Sequence, residues 1–200
     1  MAAVPTSSME DFADDSVVDG LLTSIRHGGG NVNAVLTCGR TALQIFAAIG
    51  RADAVSAYLG AGALVDAVDG DGATPLFLAA ARGQEACVRA LLAAGASLEL
   101  ANASGWTPLL VACQHGHEAC ARVMMEAGAN IETTNAEGWT PLLAACQRGH
   151  DSLVHALLGG GANVEATNER GWTPLFVACR NGHEACVCAM LAAGAVFYAL

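Results

Sequence analysis

The sequence contains no lysine at all, and its nine basic residues face 19 acidic ones, for a formal net charge of −10 over 200 residues. That scarcity argues against a nucleic-acid surface, because phosphate binding draws on clustered Lys and Arg. It also leaves no phosphate-cradling Gly-rich loop with its lysine. A basic or amphipathic partner is the better match to the whole-chain charge. Aromatic residues are few, at 5%, which suits a core of Ala and Leu packed between helices. Long apolar runs are missing too: Gly or a charged residue interrupts each well before the roughly 20 residues that cross a bilayer, so no membrane span is expected. The opening stretch MAAVPTSSMEDFADD has neither a basic region nor an apolar core, so no secretory leader is expected. The compartment expected is intracellular, reducing and cytoplasmic, with the nucleus open.

What the chain has in abundance is repetition. Thr-Pro-Leu begins at Thr74, Thr107, Thr140 and Thr173, a step of 33 residues, and Gly72, Gly105, Gly138 and Gly171 precede it at the same step. A second series, Gly62, Gly95, Gly128, Gly161 and Gly194, closes each unit. A fixed period of this size marks a repeat array. In the unit Asn102 to Thr134, Gly105 relaxes a tight turn, Thr107 is placed to cap a helix and Pro108 to open it. Leu109, Leu110, Ala112 and Cys113 supply an apolar face until Gly116 stops the helix. His117 and Glu118 start a second helix in which Cys120, Val123 and Met124 recur at helical spacing, and Gly128 ends it. Two such short helices cannot bury both faces alone, so neighbouring copies must stack.

These copies resemble ankyrin repeats, whose pattern is a β-turn followed by two helices with Thr-Pro-Leu at the helix start. The resemblance implies an all-α fold, an α-solenoid of stacked repeats. Four copies run 69–101, 102–134, 135–167 and 168–200. A weaker one at 36–68 keeps Gly39, Thr41, Leu43, Ala47, Gly50 and Gly62 in register but has Ala42 where Pro is expected. In 10–35, an acidic stretch precedes Leu21, Leu22 and Ile25 at helical spacing and a Gly28-Gly29-Gly30 close, which reads as a degenerate half-repeat capping the array. Residues 1–9 read as a disordered lead. At the other end, Val196-Phe197-Tyr198-Ala199-Leu200 is no polar cap. A fold-back, a longer natural chain and an apolar end awaiting a partner stay open there. In these repeats the residue after Thr-Pro-Leu is commonly a bracing His. Here it is Phe77, Leu110, Leu143 and Phe176, with Gln44 in the weak copy, so apolar packing is expected in place of that hydrogen-bond network.

The eight cysteines follow the register. Cys113, Cys146 and Cys179 share one position and Cys87, Cys120 and Cys186 another, both on helix-packing faces, so they are expected as buried free thiols. Cys38 and Cys188 are expected to be more exposed. Cys113 and His117, Cys146 and His150, and Cys179 and His183 have an i, i+4 spacing that would suit zinc on an unbroken helix. A Gly breaks each pair, and no metal site or cofactor is expected. Nothing marks a third orienting group or an oxyanion donor, so the chain reads as a non-enzyme.

Trp106, Trp139 and Trp172 lie between the turn Gly and Thr-Pro-Leu, a position that the resemblance puts in the turn finger. Stacked copies would set them in a row about 8–10 Å apart, an anchor for a partner because Trp is a preferred hot-spot residue. The alternative is that each covers its neighbouring turn and Pro. The resemblance also places Asp71, Ser104, Glu137 and Arg170 on the concave side of the turns. Arg82, Gln114, His115, Gln147, Arg148, Arg180 and Asn181 follow there at the ends of the first helices. Their mixed polarity suits a protein surface better than a small-molecule pocket. Glu99, Glu132 and Glu165 recur at the period and are expected as a solvated edge. The function expected is a monomeric protein–protein interaction scaffold binding another protein or peptide along its concave face, with no nucleic acid and no membrane. An adaptor or regulatory segment of a larger protein, and a thiol-based redox- or metal-responsive protein, are the alternatives.

Overall fold

A computed structural model describes residues 31–36 and 38–196, together with Gly20 and Thr23. The expected lead at 1–9, nearly all of the half-repeat at 10–35 before Asn31, and residues 197–200 lie outside the described residues.

Ten helices are described, in five pairs. They are α1 (Ala42–Ile49) with α2 (Ala52–Gly60), α3 (Pro75–Ala81) with α4 (Glu85–Ala93), and α5 (Pro108–His115) with α6 (Glu118–Glu126). The last two pairs are α7 (Pro141–Arg148) with α8 (Asp151–Gly159) and α9 (Pro174–Asn181) with α10 (Glu184–Ala192). First helices stack on first helices and second on second, so each pair packs mainly on its neighbours and the described array is a two-row solenoid. No strand forms among the described residues; Val35 and Thr41 make one isolated bridge. The expected all-α solenoid is therefore the fold.

Local chemistry accounts for the helix bounds. Thr74, Thr107, Thr140 and Thr173 each cap a first helix by accepting from the backbone N–H of Phe77, Leu110, Leu143 and Phe176, and Pro follows at the first helical position. Gly116 ends α5 at φ 78°, a left-handed conformation that a side chain disfavours. Each second helix starts with one acid in its first turn, from Asp53 to Glu184, which favours the positive end of the helix dipole.

The core is the seam between pairs. Leu76, Leu109, Leu142 and Leu175 from the first row meet Leu91, Met124, Leu157 and Met190 from the second, all essentially without exposure. Cys87, Cys113, Cys120, Cys146 and Cys186 lie in this seam as expected, and Cys188 is exposed. Cys179 corrects the expectation, for it is exposed. Its position faces the following pair, and among the described residues none follows α9 and α10.

Hydrogen bonds also cross every seam. Glu99, Glu132 and Glu165 accept from the backbone N–H of Asn130, Asn163 and Val196 at 2.8 Å, 31 residues ahead. They are clasps between consecutive loops rather than only a solvated edge. His117, His150 and His183 reach back with Nε2 to the carbonyls of Ala81, Gln114 and Gln147 at 3.2, 3.4 and 3.2 Å. Gln44 restores the bracing that the other copies lack: it is fully buried, its Nε2 donates to the carbonyls of Ala67 and Ala73, and its Oε1 accepts from Thr41 N–H.

Candidate binding groove

The fingers are built by asparagine. Asn102 Oδ1 accepts from the backbone N–H of Ser104 and Trp106, both at 3.0 Å; Asn135 does the same for Glu137 and Trp139, and Asn168 for Arg170 and Trp172. Asp69 plays this part for Asp71 and Ala73 in the finger of repeat 69–101. This self-bonding fixes each turn, and a backbone ladder then joins them: Ala103 N–H donates to Asp71 O, Ala136 to Ser104 O and Glu169 to Glu137 O. Asp71, Ser104 and Glu137 are thus brought into one line, with their side chains exposed. The sequence reading missed the asparagines, although they recur at the same step as Thr-Pro-Leu.

The three indoles are not equally displayed. Trp106 is half-buried against the main core. Trp139 retains only 8% of its exposure because it packs with Leu143 of α7 and Val177 of α9. Its Nε1–H donates to Glu137 Oε2 at 3.2 Å. A row of three free anchors is therefore corrected at Trp139, where covering a neighbour is the structural role. Trp172 is half-buried, 5.6 Å from the Phe176 ring.

At this end the fingers and first helices enclose a concavity of about 160 Å³, lined by Trp139, Gln147, Trp172, Val177, Arg180 and Asn181. All of these except Val177 are among the residues expected at the site. Arg180 lies over the Trp172 ring at 4.5 Å from its centroid and Arg170 at 5.1 Å, so both guanidiniums are oriented by an aromatic face. Asn181 Nδ2 donates to Val177 O at 2.9 Å, which holds the end of α9. Farther along, Arg148 Nε and Nη2 both donate at 2.9 Å to the Gln114 side-chain oxygen in the orientation that satisfies both groups. His115 lies 6.1 Å from His117, ring centre to ring centre. Partial desolvation, and then the positive neighbours His117, Arg148, His150 and Arg82, lower the His115 pKa. Arg82 is exposed at the end of α3.

The Cys and His residues with zinc-like spacing part company. Cys113 is buried while His117 is turned to Ala81 of the preceding pair. Among the described residues no three His, Cys, Asp or Glu side chains come together as metal ligands. The buried thiols are poor nucleophiles, since desolvation first of all raises Cys87 and Cys120 to about 11 and Cys113 to about 12.

Stacked helix pairs with ladder-linked fingers and an open groove define a helical-repeat solenoid, a class that works through its surface rather than an enclosed cavity. The family model "Ankyrin repeats (3 copies)" matches residues 10–102, 55–135 and 127–199, and the chain belongs to the ankyrin repeat family. Comparison with curated proteins gives no match. Ankyrin repeats are generally protein–protein interaction modules and are typically non-enzymatic. Among the described residues no helix is long and apolar enough to cross a membrane.

Proposed function

We propose that the chain is a monomeric binding scaffold that takes another protein or peptide along the groove between its fingers and the ends of its first helices. Residues 36–68, 69–101, 102–134, 135–167 and 168–200 act as five repeats and 10–35 as their cap. The observation that carries this reading is the convergence of Trp139, Gln147, Trp172, Arg180 and Asn181, from two consecutive helix pairs and their fingers, on one open concavity. Rigid aromatic and Arg side chains beside amide groups are the composition of interface hot spots with a polar rim. Trp172 and Arg180 act as anchors, while Trp139 forms the floor.

The test is capture from a native lysate with the wild type, a groove variant carrying Gln147→Ala and Arg180→Ala, and a control carrying Arg89→Ala on α4. Circular dichroism establishes that all three are folded. A partner retained by wild type and control and lost by the groove variant is the result expected. Identical capture by all three would place the binding surface elsewhere.

A further inference from the structure

Resting on that reading, we infer that the groove takes an acidic peptide segment, with Asp or Glu carboxylates set against Arg148, Arg170 and Arg180. The charge of the whole molecule and the charge of its groove have opposite signs. On the second-helix side, arginines are neutralised by carboxylates: Arg51 by Asp53 at 3.1 Å, Arg89 by Glu85 and Arg122 by Glu118 at 2.8 Å. Arg40 is paired with Asp69 at 2.8 Å in the buried seam. Along the groove the described partners are neutral. Arg148 is held by the Gln114 amide, and Arg170 and Arg180 by the Trp172 ring.

A neutral partner orients a guanidinium without cancelling its charge. All three are exposed, and a planar fork held in place is suited to two-point recognition of a carboxylate. The lowered His115 pKa, set first by desolvation and then by charges that include Arg148 and Arg82, is consistent with positive groups gathered at this surface. The acids on this side stay on the fingers: Glu137 is held by Trp139 Nε1, Asp71 and Glu169 are exposed there, and none of the three lines the concavity into which Arg180 is set. Beneath the arginines, Trp172, Trp139 and Val177 give the concavity an apolar floor, and Gln147 and Asn181 supply amides. One apolar side chain next to a carboxylate fits both levels. A single-stranded nucleic acid is disfavoured, because the Trp172 ring is covered by guanidiniums rather than open to a base. The basic partner expected from the net charge alone is replaced by its opposite, because close-range pairing decides what a groove holds whereas net charge acts at long range and is screened.

The experiment selects from a displayed library of random peptides about 12 residues long at physiological salt. It uses the wild type, the double variant Arg148→Gln/Arg180→Gln, and Arg122→Gln as an outer-face control, all verified as folded by thermal melts. Peptides enriched by the wild type are expected to carry an excess of Asp and Glu over the starting library. Their affinity should fall about tenfold or more in the double variant, as for a lost close charge pair, and remain unchanged in the control. A random single-stranded oligonucleotide should not displace them. Enrichment of basic or neutral peptides whose binding is altered in the double variant but not in the control would overturn the charge assignment and leave the groove reading standing. Acidic peptides insensitive to Arg148 and Arg180 but sensitive to Arg122 would overturn both. Displacement by the oligonucleotide, or no enrichment at all, would overturn the inference, and the capture experiment then decides the groove separately.

Discussion

Gly149 shows how one residue serves two neighbours. Its φ of +72° ends α7, and an added Cβ would stand 2.5 Å from Nδ1 of His183, which rests there to reach Gln147 O. Gly182 has the same backbone, φ +76°, but no atom within 4 Å of a Cβ. Gly149→Ala should therefore lose more stability in urea melts than Gly182→Ala, which bears only the left-handed strain of about 1–2 kcal/mol. Equal losses would deny the seat. His115 makes a second test at this scale. Its folded pKa lies below the ordinary value of about 6.5, so the unfolded chain binds the proton more tightly and stability falls as pH drops through 6.5 towards the folded value. Titration by NMR should place His115 below the ordinary value, and Arg148→Gln should raise it, because one of the repelling charges is gone. A rise in stability on acidification that His115→Gln abolishes would contradict the sign.

At the scale of elements, the first pair differs in kind from the rest. Its helix α1 begins without Pro and relies on a capping box, in which Thr41 accepts from Gln44 N–H and Gln44 returns the bond. The same Gln44 amide then reaches Ala67 O and Ala73 O, tying α1 to the next finger. Gln44→Leu keeps the volume and the bond from the backbone N–H at 44 to Thr41 Oγ1, but removes the side-chain bonds to Thr41 N–H, Ala67 O and Ala73 O, leaving buried backbone groups unpaired, each at about 1–3 kcal/mol. Urea denaturation should show a loss of a few kcal/mol, although Leu is the native residue at the equivalent positions 110 and 143; a neutral effect would mean that apolar packing replaces the bracing here too. The helices were legible in the sequence because Thr at the cap, Pro after it and Gly at the close act within a single turn. The clasps were not, since Glu99 acts on Asn130 in the following copy and a periodic acid on an edge looks the same whether it is solvated or bonded. The choice between anchor and cover at Trp139 was not legible for the same reason, for it is Val177 of the next pair that covers it. Of the groove, the side-chain identities were readable from the register. The pairing of Arg148 with an amide and of Arg180 with a ring, which gives the groove its sign, depends on rotamers that no periodicity specifies.

For the whole molecule, stability is a chain of nearest-neighbour seams, and the thiols are placed to report it. Cys179 and Cys188 are exposed and Cys38 is half-exposed, whereas Cys87, Cys113, Cys120, Cys146 and Cys186 are buried. Native labelling should proceed rapidly at the first two, more slowly at Cys38, and at the remaining five only through opening. Among these, Cys186 lies on α10, which among the described residues packs on α8 alone in its row, whereas Cys120 lies on α6 between α4 and α8. Exposing Cys186 requires parting one seam and exposing Cys120 requires parting two. Cys186 also donates from Sγ to Asp151 Oδ1 at 3.0 Å, adding to the ties that His183 and Val196 make across that seam to Gln147 O and Glu165. Mass-spectrometric labelling in urea below the unfolding midpoint should therefore modify Cys186 before Cys113 and Cys120, with the central pair reacting only as the array unfolds as a whole. Simultaneous modification of all five would mean that the seams break together and the array is one cooperative unit. A thiol-responsive role would require rapid native reaction at several of the buried cysteines, and the desolvation that raises the thiols of Cys87, Cys113 and Cys120 opposes it.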